Sequence, residues 1–299
     1  GELEKMKSIL QKLKTNEILI ADGAMGTMLF ARGLQPGKPP ESVNLKTPEI
    51  LEEIAQAYLD AGAKIIQTNT FGASPLKLSD YGLQDKTEEI NRIAVERVKK
   101  VVGDKAYVSG SVGPSGKLLK PFGDTEPEDI YKSYERQMKV LINAGVDLIC
   151  IETMTDLNEA TLAIKAAKSI SPEIPIMATM TFDETPRGFY TIMGVSIEDA
   201  VVGLQKAGAD IIGSNCGNGI ENMIKIAQVF KNFSKLPIII QSNAGIPEMK
   251  EGKLIYSETP EFFGEKAKEL INVGVSIIGG CCGTTPEYIK AIRKTVDDL

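Results

Sequence analysis

"VSIIGGCCGTTPEYIKAIRKTV", residues 275–296, contains the repeating unit of the whole chain. A short β-branched apolar run comes first, as in a strand covered on both faces. A glycine-rich turn follows. Thr285-Pro286 then supplies an N-cap and an N1 proline for a stretch with apolar residues at i, i+3 and i+4.

The same alternation of strand and helix patterns runs through the chain. "EILIADGA" (17–24) precedes "TPEILEEIAQAYLDAG" (47–62), and "KIIQTNTFG" (64–72) precedes "DKTEEINRIAVERVKKVV" (85–102). "AYVSGSVG", "DLICIET", "IPIMATMTF", "DIIGSNC" and "PIIIQSNAG" each open a further unit, and the stretch quoted first closes the series. Gly62, Gly145, Gly208 and Gly274 follow helical patterns as C-caps. Eight such pairs in about 280 residues predict a (β/α)8 TIM barrel. A doubly wound open sheet would usually carry a dinucleotide loop after its first strand. "ADGAMGT" (21–27) has spaced glycines but no ribose-binding acid in a matching βαβ unit. An extra N-terminal helix at about residues 2–14 is expected to plug the barrel bottom or pack beside it. Residues 1–299 read as a single barrel domain.

The 299 residues are 42% hydrophobic and 25% charged, with a net charge of −6. An acidic chain offers no basic face for a phosphate backbone, so no nucleic acid partner is expected. No apolar run reaches the roughly 20 residues that span a bilayer. The charged, helix-periodic start, "GELEKMKSILQKLKTNE", is unlike a signal peptide. The expectation is a cytoplasmic protein without membrane contact.

In this architecture active sites form at the carboxyl ends of the strands. Strand six ends at Ser214-Asn215-Cys216 and strand eight at Cys281-Cys282, so three of the 4 cysteines fall on one rim. Cys150 precedes Glu152 by two residues, which places it one layer deeper, as barrel filling. With 0 histidines, no triad and no imidazole base is available. Alone, the Cys281-Cys282 pair reads equally as a vicinal disulfide or two small buried hydrophobes. With Cys216 at a matching strand end, three thiolates make a soft tetrahedral site suited to zinc, with a fourth position open. Gly279, Gly280 and Gly283 permit the backbone turn that lets adjacent cysteines share one ion. Such a site carries negative charge and is a weak Lewis acid. It suits capture and deprotonation of another thiol better than generation of hydroxide.

The other rim groups suit an amino acid. Asp22 and Glu152 could receive an ammonium group; a turn residue and a partner for a rim cation are the plainer readings. The backbone N–H groups of Gly23, Ala24 and Met25 could bind a carboxylate in an anion nest. Asn243 could complete the metal site, bind substrate, or bond to loop backbone.

"ADGAMGT", "GSVGPSG", "ET", "SNCG" and "GGCCGTTP", in this order, resemble the homocysteine S-methyltransferases over nearly the whole chain. The resemblance implies zinc on Cys216, Cys281 and Cys282, with L-homocysteine thiolate as fourth ligand. It implies Asp22 and Glu152 near the homocysteine amino group, and Gly23, Ala24 and Met25 near its carboxylate. "DGAMGTMLFARGL" and "GGCCGTTPEYI" look most like the cobalamin-dependent methionine synthase branch. That branch implies methylcobalamin as donor, recharged from methyltetrahydrofolate, and cobalamin- and folate-binding domains on the same or an associated chain. The chain would then be a fragment or module of a larger enzyme. "CGNGIENM" (216–223) and "TMTFDETPRGFYTIMG" (179–194) depart from the pattern. The second leaves open which donor docks on the rim.

Three other readings remain. One is a stand-alone methyltransferase using S-methylmethionine or another onium donor. Another is a non-catalytic binding module stabilised by a closed zinc site. A third, a phosphate-binding barrel, lacks a Lys or Arg beside the Gly-Gly loop.

Overall fold

The computed structural model describes residues 8–299. Eight parallel strands follow one another around a barrel: β1 (Leu19–Ile20), β2 (Ile65–Gln67), β3 (Tyr107–Val112), β4 (Leu148–Met154), β5 (Ile176–Met180), β6 (Ile211–Asn215), β7 (Ile238–Ser242) and β8 (Ile277–Gly280). The ladder runs β1-β8-β7-β6-β5-β4-β3-β2. It is closed by a parallel bridge between Ala21 and Ile65, so no sheet edge is left open. The expected TIM barrel is the observed fold.

The strand runs are apolar on both faces because both faces are buried. Ile20, Ile66, Val108, Ile149, Ala178, Ile212, Ile240 and Ile278 meet the surrounding helices. The alternate residues point inward. Leu19, Ile65, Tyr107, Leu148, Met177, Ile211, Ile239 and Ile277 form one interior cluster, and Cys150 lies among them, as its spacing predicted. Gly213 faces the crowded strand beside it: a Cβ there would sit 1.7 Å from the Ile239 carbonyl oxygen.

The leading helix spans Ile9–Leu13. Ser8 caps it in a reciprocal pair with Gln11, satisfying two terminal N–H groups. Its Ile9 and Leu13 join the interior cluster and close the barrel bottom, which decides between the two expected placements. The part of that helix expected over residues 2–7 lies outside the described residues. Gly145, Gly208 and Gly274 end their helices in the left-handed region. Of the Thr-Pro openings, Thr259 accepts from the Phe262 N–H as a cap, whereas Thr285 makes no side-chain cap bond. At 47–48 the helix begins after the proline, at Glu49.

Two short hairpins extend the carboxyl face. One pairs Asp183–Thr185 with Gly188–Tyr190 after β5, and the other pairs Pro247–Lys250 with Lys253–Tyr256 after β7. No helix among the described residues is long and apolar enough to cross a membrane.

Candidate functional site

Cys216 is the first residue beyond β6 and has φ 60. A non-glycine residue there carries strain of about 1–3 kcal/mol, so the surroundings must hold it. Its N–H bonds to the Gln241 carbonyl at 3.1 Å. Cys281 and Cys282 follow β8 where strand alternation has ended, so the two side chains need not point apart. Gly283, with φ 82, completes the turn, and a Cβ on it would lie 2.4 Å from the Tyr256 ring. The Cys216 and Cys282 sulfurs are 3.7 Å apart, and all three sulfurs lie within 4.8 Å of one another. All four cysteines are free thiols, so the vicinal disulfide is not formed.

This donor set fits zinc. Tetrahedral Zn–S bonds of about 2.3 Å put sulfurs roughly 3.8 Å apart. The electrostatics agree. Hydrogen bonds from Cys281 and then Cys282 draw the Cys216 thiol down to about 3. The contact with Cys216 first of all holds Cys281 well above an ordinary thiol and pushes Cys282 up to about 11. The cluster settles one negative charge on one sulfur and resists more. A dication is the counter-charge that makes all three thiolates compatible.

The sulfurs stand at one side of a cavity of about 330 Å³. Asp22, Glu41 and Glu152 line it, and no Lys or Arg among the described residues does. Asp22 is 2% exposed. Burial pushes its carboxyl up to about 8, against the opposing Gln67 N–H bond at 2.9 Å. Burial likewise brings Glu152 to about 7, against the 2.5 Å bond donated by the Ser111 hydroxyl. Burial raises Glu41 as well, and a cavity holding three desolvated acids and no cation among the described residues favours a positively charged ligand. Beneath them the buried side-chain oxygens of Gln67 and Gln241 have no hydrogen-bond partner among the described residues, which suits a polar guest.

Asp22, Gly23, Ala24, Met25, Glu152, Cys216, Cys281 and Cys282 thus line one cavity. Gly23 leaves little room for a side chain there: a Cβ would approach Thr284 Oγ1 to 2.8 Å and Tyr58 Oη to 2.9 Å, so those groups would have to shift. The expected trio of available N–H groups is smaller than anticipated: that of Ala24 donates to Thr284 Oγ1 at 3.2 Å. Asn243 is not among the cavity-lining residues. Its Oδ1 instead accepts from the Cys282 N–H at 3.1 Å. Glu41, Ser111 and Asn215 went unassigned in the sequence. Ser111 and Asn215 stand at strand ends, where position alone marks them as candidates. Glu41 arrives on a 3-10 turn from a long loop, bonded to the Gly72 N–H, and no periodicity announces it.

The family model described as homocysteine S-methyltransferase matches residues 19–296. The chain belongs to the homocysteine S-methyltransferase family. It is 30% identical over 304 residues to the methionine synthase of Mycobacterium tuberculosis, covering 95% of this chain and 25% of that protein. It is also 30% identical to the methionine synthase of Mycobacterium leprae, over 93% of this chain and 24% of that one. The family member described here thus spans about a quarter of the length of those curated relatives. The metallated form of the homocysteine methyltransferase MmuM from Escherichia coli superposes with TM-score 0.80 at 23% identity, over 96% of this chain and 99% of that one. Its apo form gives 0.75 at 24% identity, over 97% and 98%. These likenesses establish the shared barrel.

Proposed function

We propose that the barrel transfers a methyl group to the thiolate of L-homocysteine, giving methionine, with zinc held by Cys216, Cys281 and Cys282. The observation that carries this reading is three sulfurs within 4.8 Å of one another at the wall of a cavity lined by carboxyls. Bound zinc would take an incoming thiol as its thiolate and keep it nucleophilic. Asp22 and Glu152 receive the ammonium group, whose charge keeps both acids ionised. The N–H groups of Gly23 and Met25 are the nearest candidates for the carboxylate. Asn243 braces Cys282 from behind. With both ends held, the homocysteine sulfur faces the open carboxyl face of the barrel, and the S–CH3 bond forms as the donor–CH3 bond breaks.

Methylcobalamin is the donor we favour, because the chain aligns with methionine synthases over nearly all its length. Bound above the rim, methylcobalamin would supply the methyl group as a cation equivalent, its bonding electron pair staying on cobalt. In this reading residues 1–299 are one homocysteine-binding module. Cobalamin- and folate-binding domains, on the same chain or an associated one, would supply and recharge the donor. A cytoplasmic setting suits this reading, because zinc-ligating thiols must stay reduced.

X-ray absorption of the zinc-loaded protein tests the site. We expect three sulfur neighbours without substrate and four with L-homocysteine. An unaltered shell would leave only a structural, closed zinc site. Assaying transfer to homocysteine from methylcobalamin and from S-methylmethionine then separates the two donor classes.

A further inference from the structure

Asn215 ends β6 fully buried, with its side chain inside the barrel mouth. Its Oδ1 accepts from the Thr153 N–H at 2.9 Å and from the Thr179 hydroxyl at 2.8 Å. Its Nδ2 donates to the Thr153 hydroxyl at 2.7 Å and lies 4.0 Å from the Cys281 sulfur. Thr153 is where β4 departs from regular geometry. It has φ 62, and the β4–β5 register shifts between Ile151 and Met154. Bulges beside active sites re-aim side chains; alternation already turns Glu152 inward with Cys150, and the residue re-aimed here is its neighbour Thr153, which lines the cavity. The Asn215 amide takes the place of ladder partners that the distortion removes from Thr153. Asn215 is also bonded in sequence to Cys216. One residue therefore links the carboxylate end of the cavity to two of the three thiols, to Cys281 through its side chain and to Cys216 through the main chain.

We propose that Asn215 is a positioning residue that fixes the span between Glu152 and the sulfur cluster, and so selects homocysteine over cysteine. This rests on the proposed function above. Homocysteine and cysteine share an ammonium, a carboxylate and a thiol and differ by one methylene. A pocket that merely surrounds a chain discriminates such a pair weakly. A site that clamps the ammonium and the sulfur at a fixed separation measures the chain between them, and the shorter amino acid meets one clamp only. One methylene is worth about 10–200-fold at a well-shaped site.

The test is calorimetric binding of L-homocysteine and L-cysteine to zinc-loaded protein, with zinc content and Tm measured on each variant. Asn215→Ala is expected to retain zinc and to raise the homocysteine Kd at least tenfold. The preference over cysteine should fall several-fold. Thr153→Val keeps the side-chain shape but removes the hydroxyl, and should reproduce the loss. Thr153→Ser restores the hydroxyl and should return the preference to near the wild-type value. A merely structural role for this contact would order those two variants the other way, since valine preserves packing and serine does not. Unaltered preference in Thr153→Val, or equal loss in Thr153→Ser, overturns the proposal even if Asn215→Ala does not fold. A zinc-loaded wild-type protein that binds no homocysteine would overturn the proposed function instead, and this inference with it.

Discussion

The Cys216 and Cys282 sulfurs stand 3.7 Å apart although their strands, β6 and β8, are separated by β7. Adjacent strands lie about 4.8 Å apart, so these backbones are roughly 10 Å from one another. Both side chains must lean over the end of β7, and that strand end is built to hold them. The Cys216 N–H bonds to Gln241 O, the Cys281 N–H to Ser242 O at 2.7 Å, and the Ala244 N–H to Cys282 O at 2.9 Å. The three thiols are thus positioned chiefly by backbone bonds to one strand that contributes no thiol.

Replacing Cys216 with Ala removes the one sulfur of the cluster that comes from β6. Two adjacent cysteines remain, and two ligands on one turn make a poor tetrahedral site. We expect loss of most bound zinc by elemental analysis and loss of homocysteine binding together. The far-UV spectrum should not change, because the cluster lies outside the apolar interior. Full zinc stoichiometry in Cys216→Ala would argue against the assignment.

Asn243 supports the metal indirectly through the Cys282 N–H. Partners of this kind typically alter metal affinity by about 10–100-fold when removed. Asn243→Ala should therefore still bind zinc, but release it faster to a competing chelator. If Asn243→Ala instead matched Cys216→Ala in zinc loss, Asn243 would be acting as a ligand in its own right.

The barrel was legible because each strand is buried on both faces and each helix on one, which writes two distinct periodicities into the sequence. The thiols were legible because cysteines beside glycines at strand ends are chemically conspicuous, and Cys150 because its spacing set it inward. The support around the site was not. Asn215 bonds to Thr153 at a distortion of β4 that period-two reasoning treats as regular strand. Glu41 depends on a loop path with no periodic signal. Ala24 lost its expected availability to Thr284, a partner 260 residues away.

The helix at the barrel bottom offers a test of stability separate from the site. Ile9 is 1% exposed and packs among the inward residues of the strands. Ile9→Ala should cost about 2–4 kcal/mol in urea denaturation. Zinc content and homocysteine affinity should stay at wild-type values, since the plug lies at the opposite end of the barrel from the cavity. A change below about 0.5 kcal/mol would mean that the plug contributes little to closing the interior.

Asp22 connects stability, pH and binding. Its carboxyl is raised from the usual 3.8 to about 8 in the folded protein. The folded state therefore holds a proton that the unfolded state releases near pH 4, and stability falls as pH rises from about 4 to 8. Asp22→Asn removes this dependence while keeping an oxygen for the Gln67 N–H. Little change in Tm is expected at pH 4 and a rise at pH 8, at roughly 2–4 °C per kcal/mol recovered. Homocysteine affinity should move oppositely, because the neutral amide cannot balance an ammonium ion. In the wild-type protein affinity should strengthen from pH 6 to 8 as Asp22 and Glu152 ionise, and this gain should shrink in Asp22→Asn. Thermal melts and binding isotherms at these pH values check both signs. An Asp22→Asn protein that is less stable at pH 8, yet binds homocysteine as tightly as wild type, would place the acid in the scaffold rather than in the amino-acid site.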